Sequence, residues 1–119
     1  MTDQLSAFHH FDPVALRDDL MDDGTLTREI LQRALVWQQE TVGTLEATND
    51  RPGQGKIAHS LRGMLAQIHA HPAAQMAGAL ERACKSDGTP LDTLRQQLIA
   101  EVGQLCAELE TYLKRPTAN

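Results

Sequence analysis

The sequence predicts an all-α fold: an antiparallel up-down-up-down four-helix bundle with a short extra N-terminal helix. Apolar residues recur at spacings of three and four, the period of one helix face. Only four aromatics occur in 119 residues (Phe8, Phe11, Trp37, Tyr112), so Leu, Ala, Ile, Val and Met must fill the interior, a palette that favours helix over sheet. Clusters of Gly, Pro, Asp and Asn cut the chain into five stretches, and short connections between long amphipathic helices set sequence neighbours antiparallel.

The first helix is short. Asp12 suits its N-cap and Pro13 its first position, and Asp22-Asp23-Gly24 ends it. The second is expected from Thr25 to Ala47, with Leu26, Ile30, Ala34, Trp37 and Leu45 inward, and Asn49-Asp50-Arg51-Pro52-Gly53 breaks it. The third is expected from Gln54 to Ala70, with Ile57, Leu61, Leu65 and Ile68 inward, and His71-Pro72 stops it because a residue before proline avoids the helical region. The fourth starts at Pro72 with His71 as its cap, places Met76, Leu80 and Cys84 inward, and closes at Ser86-Asp87-Gly88. In the fifth, Thr89 caps and Pro90 takes the first position. Its stripe is Leu91, Leu94, Leu98, Val102, Leu105, Leu109 and Tyr112. Residues 1–119 therefore read as one domain, with the bundle core at 25–114.

Charge and cysteine usage narrow the function. A net charge of −5 supplies no basic excess to displace counterions from nucleic acid. No apolar run reaches membrane-spanning length, and MTDQLSAFHHFD is not a basic-then-apolar leader, which predicts a cytoplasmic protein with no membrane partner. Cys84 and Cys106 lie far apart within helical patterns, so both read as reduced core thiols.

The third helix holds the one constellation with chemical content. His59 stands two residues from both Ile57 and Leu61, about 200° around the helix from each, and so faces away from the expected core. Its neighbours three or four positions away are Gly55, Lys56, Arg62 and Gly63, with Ala66 beyond them. Lys56 and Arg62 offer positive charge to a dianionic phosphoryl group. Gly63 costs a helix interior about 1 kcal/mol relative to alanine, and a bare backbone one turn from an imidazole leaves that ring open to an approaching surface. The basic run Arg51 to Arg62 contains no acid, whereas Asp12 to Asp23 holds five acids and one base. On this pattern alone, a solvated surface histidine with incidental basic neighbours stands beside a phosphoryl-accepting site as an equal reading.

Ala58-His59-Ser60-Leu61-Arg62-Gly63 resembles the A-H-x-L-[KR]-G signature of histidine-containing phosphotransfer (HPt) domains. Leu80-Glu81-Arg82-Ala83 is similar to the L-E-x-A that follows one helix later in that family, and the five-helix layout matches over residues 12–114. The resemblance implies one HPt-like domain with His59 as phosphoacceptor, Arg62 beside the phosphoryl group and Gly63 as the small residue that keeps the ring accessible. It also implies that Glu81 accepts the Nδ1–H hydrogen bond, leaving Nε2 nucleophilic. The chain departs from the family pattern at Met64 and Leu65, where small residues are usual, at Gln67, where Asn or Ser is typical, and at His69, where a second glycine is usual. These departures bear on partner choice.

The implied function is that of a monomeric carrier in a two-component phosphorelay, with no kinase core and no cofactor. It would take the phosphoryl group from a receiver-domain aspartate of a hybrid sensor kinase and pass it to a response regulator. Any Mg²⁺ would belong to the receiver. Two rivals remain: an all-α interaction module that accepts no phosphate, and the phosphoacceptor segment of a larger chemotaxis-type kinase. The short end Lys114-Arg115-Pro116-Thr117-Ala118-Asn119 argues for the free-standing carrier. His69 and His71 are two apart and point in different directions, so they predict no metal site, and His9-His10 falls in an N-terminus expected to be mobile. Arg51-Pro52-Gly53-Gln54-Gly55-Lys56 lacks phosphate-loop spacing and reads as a turn feeding the third helix.

Overall fold

The computed structural model describes residues 8–86 and 88–115. Five helices follow one another: α1 (Pro13–Asp19), α2 (Gly24–Ala47), α3 (Arg51–Gln67), α4 (His71–Cys84) and α5 (Asp92–Lys114), and no strand occurs among the described residues. Helix α3 packs most extensively on α4 and α2 on α5, while α4–α5 and α2–α3 contacts close the ring of four. The fold is the expected all-α bundle, with α1 resting on α2.

Aspartates set three of the helix starts. The Asp12, Asp23 and Asp50 carboxylates accept the backbone N–H of Ala15, Leu26 and Gly53, satisfying donors that a helix start leaves orphaned. Asp23 therefore opens α2 as well as following α1. Asp50 places Arg51, Pro52 and Gly53 in the first turn of α3, three residues ahead of the expected start at Gln54. The basic run taken for a turn is thus helical, and the Arg51 guanidinium donates to the carbonyls of Ala83, Ser86 and Thr89. It ties the start of α3 to the end of α4.

The end of α3 also differs from expectation. His69 adopts φ +59°, its N–H donates to Ala66 O, and the Ala70 N–H donates to Leu65 O. This is the Schellman pattern, which closes a helix through one left-handed residue. Left-handed backbone is free to glycine and costly to most side chains. The left-handed residue is why α3 stops at Gln67 rather than Ala70. In this chain the His69 ring is held by Asp19 of α1, Nε2 to Oδ2 at 2.6 Å.

Three further expectations at the helix starts and at the N-terminus are corrected. His71 is the exposed first residue of α4 and caps nothing, since Ala70 occupies the N-cap. Helix α5 begins at Asp92, with Leu91 as N-cap and no side-chain cap; Thr89 and Pro90 belong to the connection, where Arg51 holds the Thr89 carbonyl. The N-terminal histidines are not loose. The Glu108 carboxylate accepts both the His9 and His10 N–H, and His10 Nδ1 meets Glu101 at 2.5 Å. Of the predicted Ser86-Asp87-Gly88 turn, Asp87 lies outside the described residues; so do 116–119 of the C-terminal end.

In α2 most of the buried stripe is displaced by one position from the apolar count, and in α3 the displacement is smaller, with Leu61, Leu65 and Ile68 buried as expected. In α2 the buried residues are Thr27, Leu31, Ala34, Gln38 and Leu45, while Leu26 is exposed and Ile30 and Trp37 are half-buried. Of the polar members, the Thr27 hydroxyl donates to Asp23 O and Gln38 Oε1 faces the Cys106 thiol at 3.7 Å, while Gln38 Nε2 has no hydrogen-bond partner among the described residues. In α3 the buried set is Gln54, Ala58, Leu61 and Leu65, and in α4 it runs through Ala73, Ala77, Leu80 and Ala83, with Met76 and Cys84 half-buried. In α5, Leu98, Val102, Leu105, Leu109 and Tyr112 are buried as expected, and Leu91 and Leu94 only partly. The Arg28 guanidinium donates to the carbonyls of Tyr112, Leu113 and Arg115, closing the end of α5.

Both cysteines are free thiols. Burial, and secondarily Glu110, pushes the Cys106 thiol up to about 11, and burial also raises Cys84. Since the thiolate is the reactive form, iodoacetamide should label half-buried Cys84 first and Cys106 only on unfolding. Equal labelling rates in the native protein would contradict this packing.

Candidate functional site

His59 and Glu81 are brought together by the tightest pairing in the bundle, α3 against α4. At about 100° per residue, His59 lies about 130° from the mean direction of Gln54, Ala58, Leu61 and Leu65. It occupies the shoulder of α3 facing α4 rather than the pole opposite the core. The position leaves 65% of its side chain exposed while keeping one ring edge within reach of the neighbouring helix.

That edge carries Nδ1, 2.8 Å from Glu81 Oε2. A carboxylate can only accept, so Nδ1 carries a proton in this contact, and in the neutral imidazole the lone pair then falls on Nε2. Arg62 Nη2 also comes within 3.4 Å of Nδ1, but two donors do not bond each other, and the shorter contact to the anion decides the tautomer. The free nitrogen lies on the ring's other side.

Glu81 is the hub. Its side chain is only 11% exposed, and its second oxygen, Oε1, accepts from Arg62 Nε at 2.9 Å. Lys85, one turn along α4, brings Nζ to 3.7 Å from Oε2. The hydrogen bond from His59 is the strongest influence holding the Glu81 carboxyl below the usual glutamate range; burial opposes it, and the Arg62, His59 and Lys85 charges reinforce it. A carboxyl whose folded value lies below its unfolded one stabilises the fold at higher pH and loses that contribution as pH falls through the folded value. Wild type should therefore be more stable than Glu81→Gln at neutral pH, and this advantage should disappear on acidification below the ordinary glutamate range. Urea midpoints measured across that range test it, and a gap independent of pH would show that charge is not the source.

The predicted residues divide into two groups. His59, Arg62 and Glu81 form one connected set. Gly63 lies exposed on the same helix, and a Cβ there would meet nothing within 4 Å, so packing inside this chain gives no reason for glycine. Lys56 stands apart, exposed beside Trp37, Thr44, Ile57 and Ser60 along the α2–α3 groove, and makes no contact with Glu81. Of the departures noted above, Leu65 is fully buried and Met64 half-buried, so neither offers a partner its full side chain.

Sequence reasoning missed two residues. Lys85 could have been found from its i,i+4 spacing to Glu81. Gly78 could have been found as a glycine inside α4: a Cβ there would lie 3.3 Å from Arg62 Cδ, so its absence makes room for the Arg62 stem to cross toward Glu81.

Elsewhere, no group of three metal-ligating side chains occurs among the described residues. The His69 and His71 rings lie edge to face at 5.5 Å, with His69 engaged by Asp19. No helix among the described residues is long and apolar enough to cross a membrane.

Residues 15–102, more than half of the chain, match the family model of the Hpt domain. Neither a curated protein nor a solved structure matches it.

Proposed function

The chain belongs to the Hpt domain family, whose members act in histidine phosphotransfer within phosphorelays, and on that premise we propose that His59 is its phosphoacceptor. The supporting observation is the oriented imidazole. Nδ1–H is held by a buried carboxylate while 65% of the side chain stands open, so the tautomer favoured by this contact turns the Nε2 lone pair outward.

The donor in this reading is an aspartyl phosphate on the receiver domain of a hybrid sensor kinase. The Nε2 lone pair attacks phosphorus in line, the P–O bond to the aspartyl carboxyl breaks, and the carboxylate leaves with the bonding pair. Nδ1 keeps its proton, and the positive charge gained by the ring is balanced by Glu81. Arg62 and Lys85, already gathered at Glu81, supply cations for the phosphoryl oxygens. The reverse step delivers the group to an aspartate of a response regulator. The protein is then a cytoplasmic, monomeric carrier forming a single domain, without a kinase core or a cofactor of its own.

The test is incubation with a phosphorylated receiver followed by mapping of the label. Phosphate that is lost in acid, survives base and sits on the peptide containing His59 is the expected result. Receiver binding without label would support the interaction-module reading instead.

A further inference from the structure

The cationic character of the α3–α4 face extends past the phosphoacceptor. Residues 51–85 hold five of the eleven Lys and Arg residues (Arg51, Lys56, Arg62, Arg82, Lys85) and one of the sixteen acids, Glu81. In a chain of net charge −5 this segment is locally cationic; Lys56 lies on the α2 side, so Arg62, Arg82 and Lys85 carry the positive charge of the α3–α4 face. Arg51 is used internally on three carbonyls, and Arg62 and Lys85 are engaged by Glu81. Arg82 differs. It is exposed, and its guanidinium has no hydrogen-bond or ion-pair partner among the described residues.

Its placement is specific. A methyl added to Gly78 would lie 3.3 Å from Arg82 Nη1 and 3.3 Å from Arg62 Cδ, so both arginine side chains converge over one bare helical residue. Gly78 is itself buried, inside a helix where glycine is less favourable than alanine. Arg62, Arg82, His71, Gln75, Ala74 and Gly78 line an open groove of about 280 Å³. Like charges brought together with only one carboxylate, already shared three ways, leave an unbalanced positive potential.

We propose that this groove is a docking site for a carboxylate-bearing segment of the receiver protein that exchanges phosphate with His59, with Arg82 as its main contact. The inference rests on the phosphotransfer reading. Complementary charge supports this occupant: the groove shares Arg62 with the phosphoacceptor site, so a protein seated over Nε2 reaches it without a second binding event. An Arg fork matches a carboxylate bidentately. Arg82 is assigned a binding role and touches neither His59 nor Glu81.

The experiment separates the two readings. Uptake from phosphoramidate, a small donor that needs no docking, reports on His59 alone; uptake from the phosphorylated receiver reports on both. Arg82→Gln and Arg82→Glu should leave phosphoramidate uptake unchanged and raise KM for the receiver by roughly tenfold, more for Glu, with a shallower salt dependence. Gly78→Ala, which crowds the Arg62 stem and the Arg82 guanidinium while retaining the helix, should raise KM in the same direction. Unchanged KM and salt dependence in both Arg82 variants would overturn the docking site even if wild type is phosphorylated normally. No uptake by wild type from either donor would instead remove the phosphotransfer reading itself.

Discussion

Replacing His59 with glutamine is expected to abolish phosphoryl uptake from a phosphorylated receiver while leaving the bundle folded. Glutamine approximates the imidazole in reach, and its amide can still donate to Glu81, but it has no basic lone pair to attack phosphorus. The loss should be complete, because no other imidazole in the described residues shares this arrangement. His69 and His10 are each spent on a carboxylate at bonding distance, and neither lies on the α3–α4 shoulder. Stability should change by less than about 1 kcal/mol, the scale of an exposed charged pair, since 65% of the side chain faces solvent. The measurement is acid-labile label per chain beside the thermal midpoint. Label retained at wild-type level in His59→Gln would move the acceptor elsewhere and sink the assignment.

How much of this was legible in the sequence depended on where apolar pattern and chemistry coincide. Helix α5 was read almost residue by residue because its core positions from Leu98 to Tyr112 are apolar without a break. Helix α2 was read one position out of phase. Two of its buried residues, Thr27 and Gln38, are polar, and the apolar count passes over them, while Leu26 and Trp37 drew the stripe toward the rim. A smaller offset in α3, where Ala58 rather than Ile57 is fully buried, moved His59 from the pole of the helix to its shoulder. That shift is what lets Glu81 reach it. Its exposure was legible from spacing; the partner across the helix pair came from resemblance, because no local pattern links residues 22 apart.

The helix ends show the complementary lesson. Asp12 announced its helix in the expected way. Asp50 was overlooked because Pro52 and Gly53 follow it, yet proline suits a first turn, and glycine there accommodates the capping carboxylate: a Cβ on Gly53 would fall 2.8 Å from Asp50 Oδ2. At His69 the left-handed cap carries no glycine to announce it, and the tie to Asp19 is tertiary. Lys56 was placed with the phosphoacceptor on spacing alone. Three residues along α3 puts it near His59 on the helix surface, but on the side of α2 rather than α4.

Gly63→Leu should reduce transfer from the receiver by about a hundredfold or more while making the isolated protein slightly more stable. The two effects have opposite signs because they have different origins. Inside this chain nothing lies within 4 Å of a Cβ at position 63, so a longer side chain meets no steric conflict and relieves the glycine's cost of about 1 kcal/mol in a helix interior. Transfer, by contrast, requires phosphorus to come to within about 3–3.5 Å of Nε2, carried by a folded partner whose backbone must lie almost on α3. A side chain at i+4 from His59 stands about 5–6 Å from it between Cβ atoms, where that partner must pass. Leucine should therefore hold the partner off the reacting nitrogen without touching the ring. Phosphoramidate uptake should remain near the wild-type rate, which distinguishes a blocked approach from a damaged acceptor. Equal transfer rates for Gly63→Leu and wild type, with the variant folded, would mean that partners do not approach along this face. The glycine would then need another cause.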